Sequence, residues 1–197
     1  GGSGGYGFWI AGEKHQIDRC SATNVADHGF ALASGSGHRV RDIVVHSAGD
    51  DGVRVGAPQT RLERVRMSDV AGSGVYSSVD DLRMKDVAVA GSASAGFVLS
   101  GTRMRVQAAH VVDAARGFDI ACTGDCQLKD VSARSNASQG FLVSGTGTRL
   151  TKARASLNAG AGIALSGTLQ STVQSSTSRG NGAFDASDAA VACGTNT

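Results

Sequence analysis

Gly29-Phe30-Ala31-Leu32 decides the fold, because its pattern of glycine, apolar residue, any residue, apolar residue returns at a fixed interval. Gly7-Phe8-Trp9-Ile10 precedes it. Gly52-Val53-Arg54-Val55, Gly74-Val75-Tyr76-Ser77, Gly96-Phe97-Val98-Leu99, Gly117-Phe118-Asp119-Ile120, Gly140-Phe141-Leu142-Val143 and Gly162-Ile163-Ala164-Leu165 follow. The gaps between these glycines are 22, 23, 22, 22, 21, 23 and 22 residues. A constant period of this size, with a short strand signal in each repeat, marks a solenoid whose coils bury a core only by stacking.

Each repeat carries a second pattern, Φ-x-x-Φ-x-Φ (Φ, apolar), seen as Val40-Ile43-Val45 and as Leu62-Val65-Met67. Its two-residue gap predicts a bend or bulge between two short strands. Stacking the repeats gives five inward columns. The first runs Phe8, Phe30, Val53, Val75, Phe97, Phe118, Phe141, Ile163. The second and third start at Ile10 and Ile17, the fourth at Cys20 and the fifth at Ala22. The last two shrink to Ala and Ser toward the C-terminus, which predicts a thinner core there. Between the third and fourth columns lie Asp18, Arg41, Glu63, Lys85 and, beside them, Arg19, Asp42, Arg64, Asp86. These read as two outward ladders of alternating charge, with a structural role.

The 197 residues, 41% apolar, suffice for one sizeable core, and a net charge of +2 gives no case for nucleic acid. No apolar run approaches the length of a membrane-spanning helix, so no membrane insertion is expected. Residues 1–5 read as a linker or the tail of a preceding coil, and residues 6–197 as one domain. Residues 181–185, Asn-Gly-Ala-Phe-Asp, are a degenerate ninth coil. The chain enters at a full coil and has no polar cap, so it reads as part of a longer protein or as one whose ends are covered by other segments; its open coil edges would allow end-to-end or side-by-side self-association.

Cys122 and Cys126 flank a turn, Ala-Cys-Thr-Gly-Asp-Cys, where other repeats carry Ser-Gly-Thr. A small-loop disulfide and hence an oxidising compartment is the first reading, and a metal pair the alternative, without a second Cys or His pair at zinc spacing. Cys20 falls on an inward column and reads as a small buried hydrophobe. Cys193 lies eight coils away, on the order of 38 Å at the strand spacing, too far to bond it.

Glycine-anchored coils of about 22 residues with stacked inward columns resemble the right-handed parallel β-helix repeats of the pectate-lyase-like superfamily, over residues 6 to about 190. The resemblance implies an all-β, single-stranded right-handed parallel β-helix (β-solenoid) of about eight 22-residue coils. It also implies a place among polysaccharide lyases, glycoside hydrolases, uronan epimerases, tailspikes and surface proteins without a reaction. Fold alone does not choose among these.

The candidate chemistry lies on the outer side of coils one to four. There the position between the two apolar residues of the glycine motif and the two residues before each glycine gather Trp9, Asp27, His28, Asp50, Asp51, Arg54 and Tyr76. Asp27, His28, Asp50, Asp51, Arg54 and Tyr76 are the catalytic candidates: Arg for a carboxylate, and Asp, His or Tyr for a proton. Trp9, Tyr76 and Arg54 are the substrate-binding candidates, the rings as faces for sugars. Asp50-Asp51-Gly52 resembles the paired Asp of β-helix polygalacturonases, whose other motifs are absent. The alginate-epimerase signature is matched only at Tyr6-Gly7-Phe8. No metal or other cofactor is expected, although the Asp pair could bind Ca²⁺.

Two functions follow as expectations. One is a secreted, surface or periplasmic protein acting on or binding a polysaccharide, in particular a uronic-acid polymer. The other is a structural or adhesion solenoid. His15, His38, His46 and His110 read as solvated. Asn136-Ala137-Ser138 reads equally as a glycosylation sequon or a turn, and Gly35-Ser36-Gly37 as a coil corner.

Overall fold

The computed structural model describes residues 5–166 and 170–182, and Cys193 and most of the degenerate ninth coil lie outside them. The chain forms an all-β solenoid in which, among the described residues, the strands pair only in parallel, each with its counterpart one coil away. Phe8–Ile10 lies on Phe30–Leu32, that on Val53–Val55, and so on to Ile163–Leu165 in an eight-stranded sheet. The Φ-x-x-Φ-x-Φ segments make a twelve-stranded sheet, with Arg39–Ala48, Arg61–Val70 and Arg83–Ser92 as its long members.

The bend expected inside those strands is a single residue in the left-handed region, and it recurs. Left-handed residues stand five positions apart in every coil: Lys14, Arg19, Asn24; Gly37, Asp42, Ser47; Gln59, Arg64, Asp69; through to Gln170, Ser175, Gly180. Three such corners divide each coil into three short faces. The first is the glycine-motif strand; the second and third are the two halves of the long strands.

Register agrees with the columns throughout. Phe97 opposes Val75 and Phe118, Val40 opposes Ile17 and Leu62, and Val45 opposes Ala22 and Met67. The rings of Phe97, Phe118 and Phe141 stack in succession, with centroids 4.5 and 4.7 Å apart. The motif glycines are required by close approach. A Cβ on Gly74 would lie 2.5 Å from the Val89 side chain and 2.6 Å from the Gly96 carbonyl oxygen of the next coil.

Several sequence readings change. His38 is completely buried, because the position before the second face points inward. It stacks on His15 with centroids 5.4 Å apart and contacts the Ser34 carbonyl at 3.0 Å through Nε2. His46 and His110 are exposed, as expected, each against a serine of the next coil. Asn136 is buried, so it is no glycosylation acceptor. Its Nδ2 donates to Asn158 Oδ1 at 2.7 Å, and Asn158 donates likewise to Asn181. This internal asparagine ladder fills the C-terminal coils where Val25, Ala48 and Val70 fill the N-terminal ones. Cys20 is only half-buried, its thiol against the Asp18 carbonyl, because among the described residues its coil is covered only by the coil that follows.

The Cys122–Cys126 disulfide is present, inside the corner made by left-handed Asp125, and both cysteines are buried. Each charge ladder keeps one rung as read, Arg41 on Asp18 at 2.8 Å and Arg64 Nη2 on Asp42 at 2.7 Å, whereas Arg19 turns to Asp18 within its own coil. Beyond these the pairs shift: Glu63 pairs with Arg39 and Asp86 with Arg66.

Two substitutions test this frame by urea unfolding. Phe97→Ala removes the first ring of the triple stack and is expected to cost about 3–5 kcal/mol. Ala108→Gly relieves a left-handed alanine, φ 53°, and is expected to stabilise by roughly 1 kcal/mol.

Candidate functional site

The turn from the third face to the glycine-motif strand places Asp27-His28 directly over Asp50-Asp51. The Asp27 carboxylate accepts the backbone N–H of His28 at 3.0 Å, a local aspartate turn that fixes its direction. Gly29 N–H then donates to the Asp51 carbonyl at 3.0 Å, tying the two coils together. Side chains complete the stacking where backbone partners are missing. His28 Nδ1 accepts the Asp51 N–H at 3.2 Å, and Asp51 Oδ1 accepts the Ser73 N–H at 2.9 Å. His28 and Asp51 are therefore buried, at 6% and 4% exposure, and not outward as the sequence pattern implied.

That arrangement sets the protons. A backbone N–H only donates, so the Nδ1 lone pair is engaged and the imidazole proton sits on Nε2. Nε2 lies 3.6 Å from Asp27 Oδ1, while Nδ1 lies 3.7 Å from both the Asp50 and the Asp51 carboxylates. Burial raises the proton affinity of Asp51 above the ordinary carboxylate range, and the neighbouring Asp50 charge adds to it. The Ser73 N–H, His28 and Arg54, whose Nη1 is 3.3 Å away, pull in the opposite direction.

Tyr6 belongs to the site, although its sequence signal, half of an incomplete epimerase motif, did not single it out. Its ring meets Trp9 edge-on at 4.8 Å and lies 5.6 Å from the His28 ring. Burial and the nearby Asp27 carboxylate raise its phenol above the usual value. Tyr6, Trp9, Asp27, His28, Asp50 and Arg54 line an open cleft of about 480 Å³. Trp9 is 59% exposed beside it. Tyr76 does not line the cleft; it lies under the Arg54 guanidinium, 4.8 Å from ring centroid to Cζ. Asp51 stands behind the cleft wall and holds Arg54.

Ligand atoms of Asp27, His28 and Asp50 all lie within 4.8 Å of one another, a spacing that could hold a metal ion. The proton arrangement argues against it. The imidazole has given its lone pair to the Asp51 N–H, and Asp27 and Asp50 alone are few ligands for Ca²⁺, which takes about six to eight oxygens.

No protein-family model matches the sequence, and no curated protein sequence is significantly similar to it. Among solved structures, the catalytic unit of a thermostable GH87 α-1,3-glucanase from Streptomyces thermodiastaticus superposes with a TM-score of 0.79 at 15% identity. The match covers 91% of this chain and 42% of that one. The A-module of the mannuronan C-5 epimerase AlgE6 from Azotobacter vinelandii superposes with a TM-score of 0.68, also at 15% identity, over 93% of this chain and 59% of that one. The fold is the parallel β-helix. The chain spans less than two thirds of either neighbour.

Asp51 makes stability depend on pH with a definite sign. Its folded-state proton affinity is raised, so its contribution is fullest below about pH 4 and declines as pH rises through the raised value. Asp18 and Asp42, each lowered by its arginine, act oppositely: their contribution is present above the ordinary carboxylate value and lost as pH falls through the lowered one. Urea unfolding of the parent and of Asp51→Asn is therefore expected to give a stability difference, parent minus variant, that decreases from about pH 4 to pH 7. A difference independent of pH would contradict the assignment.

Proposed function

We propose that the cleft is the active site of a polysaccharide-cleaving enzyme, with Asp27 and Asp50 as its acid–base pair. The observation that carries this reading is two carboxylates and a proton-bearing imidazole within 4.8 Å of one another, in a cleft flanked by an exposed tryptophan and a tyrosine. Hydrolysis of a glycosidic bond needs one carboxyl group to protonate the leaving oxygen and a second to activate water or attack the sugar. One Asp27 oxygen is held by the His28 N–H and faces the Nε2 proton, and the closeness of the two carboxylates, within 4.8 Å, suits Asp27 to attack the sugar as nucleophile rather than to activate a water between them. Asp50, exposed at the mouth, is placed to protonate the leaving oxygen. Trp9 and Tyr6 offer the ring faces on which a sugar stacks.

Arg54 is engaged by Asp51 and Tyr76. This favours hydrolysis over chemistry at a uronate, which needs a free cation for the substrate carboxylate. The structural neighbours, an α-1,3-glucanase and a mannuronan epimerase, fit a polysaccharide substrate. The buried disulfide fits an extracellular, cell-surface or periplasmic location.

Incubation with α-1,3-glucan and with other neutral and acidic polysaccharides is expected to release new reducing ends without the absorbance of unsaturated uronides. Asp27→Asn and Asp50→Asn should each lower the rate by about 100-fold or more while leaving the unfolding midpoint near the parent's. A rise in unsaturated uronides, or C5 exchange without new ends, would replace this reading with a lyase or an epimerase. No turnover of any polymer would replace it with a structural or adhesion solenoid.

A further inference from the structure

The second face carries a column of like charge. Arg39, Arg61, Arg83 and Arg105 oppose one another directly in four consecutive coils, and Arg149 resumes the column beyond Gln127. Like charges directly opposite across neighbouring strands are destabilising, and here they recur at the strand spacing of about 4.8 Å. The adjacent corner behaves differently, since Arg64 and Asp42 neutralise each other there. Within the arginine column only the two ends of the consecutive run are paired, Arg39 with Glu63 at 3.2 Å and Arg105 with Asp125 at 2.7 Å. Arg61 and Arg83 are exposed and form no ion pair with any described residue. Lys85 and Lys129 stand on the same face. Two open hollows, of about 390 and 540 Å³, meet at Arg61 and Arg83 and make a trough along the solenoid axis.

We propose that this trough binds a linear anionic polysaccharide, with the unpaired Arg61 and Arg83 guanidinium groups as adjacent rungs for its carboxylates. An arginine fork grips a carboxylate with two parallel hydrogen bonds, its guanidinium kept planar by delocalisation. Consecutive sugars of an extended hexuronan advance by a length comparable to one coil, so acid groups can meet guanidinium groups rung by rung. Nucleic acid fits less well. Among the described residues no aromatic side chain projects outward from this face, so unpaired bases have no stacking platform there. The surface lies on a different sheet from the Asp27–Asp50 cleft and does not depend on catalysis there.

Calorimetric titration of the full chain with alginate and polygalacturonate oligomers at low salt tests the proposal, with dextran as neutral control. Arg61→Ala/Arg83→Ala is expected to bind at least about tenfold more weakly than the parent, and parent binding should fall steeply between 0.05 and 0.3 M salt. The double variant should keep or raise its urea midpoint, because it removes like-charge repulsion. Asp50→Asn should bind as the parent does, which separates this surface from the cleft. Equal binding by parent and double variant would overturn the proposal. Tighter binding of single-stranded or duplex DNA than of uronan would also overturn it, in favour of nucleic acid. A sulfated glycan bound while the uronans are not would refute the carboxylate rungs.

Discussion

The parallel backbone ladder between consecutive coils is the constraint on which everything else depends. A coil of 22 residues cannot bury its own apolar residues; only a neighbour in register covers them. The motif glycine enforces that register sterically, since at Gly74 even one carbon would press on both the Val89 side chain and the carbonyl of the next coil. Once coils stack this way, a residue at a given phase of the repeat meets its counterparts above and below. Phenylalanines become a stack, asparagines a hydrogen-bonded ladder and arginines a line of charge.

The same rule builds the site. Asp27-His28 and Asp50-Asp51 are 23 residues apart in sequence and adjacent in space because they share a phase. At the corresponding positions of a later coil the polarity is exchanged: Arg116 occupies the position of Asp51 and Asp119 that of Arg54, and the two pair with each other. That coil has an ion pair but no carboxylate cluster. An acid–base site therefore depends on which residues fill one phase of two neighbouring coils, and the scaffold is indifferent to the choice.

This explains what could be read from the sequence. Periodicity reports which residues stack, so the columns through Phe97, Val40 and Val45 were legible, and the gathering of Asp27, His28, Asp50 and Arg54 followed from their phase. Periodicity does not report the direction of a side chain at a corner. The left-handed residues recur every five positions without a shared residue type: arginine, aspartate, alanine and leucine all occupy them. Hence the burial of His28, Asp51 and His38, the shifted charge pairs and the enclosure of Asn136 were hidden. Tyr6 shares the phase of His28 and Asp51, one residue before a motif glycine, so its place beside them was legible from the repeat; it was missed because only its match to the epimerase motif was weighed.

The central claim is that stacking of the first two full coils wires His28 to the backbone of Asp51 and so fixes its proton beside Asp27. Nitrogen-15 NMR of the His28 ring near neutral pH tests this most directly, with Asp27→Asn and Asp51→Asn spectra for assignment. The account predicts a proton on Nε2 and an Nδ1 that accepts a hydrogen bond, unchanged by added Ca²⁺ or Zn²⁺. A proton on Nδ1, or a ring signal shifted by stoichiometric metal, would contradict it and make the cluster a metal centre or an unlinked surface turn.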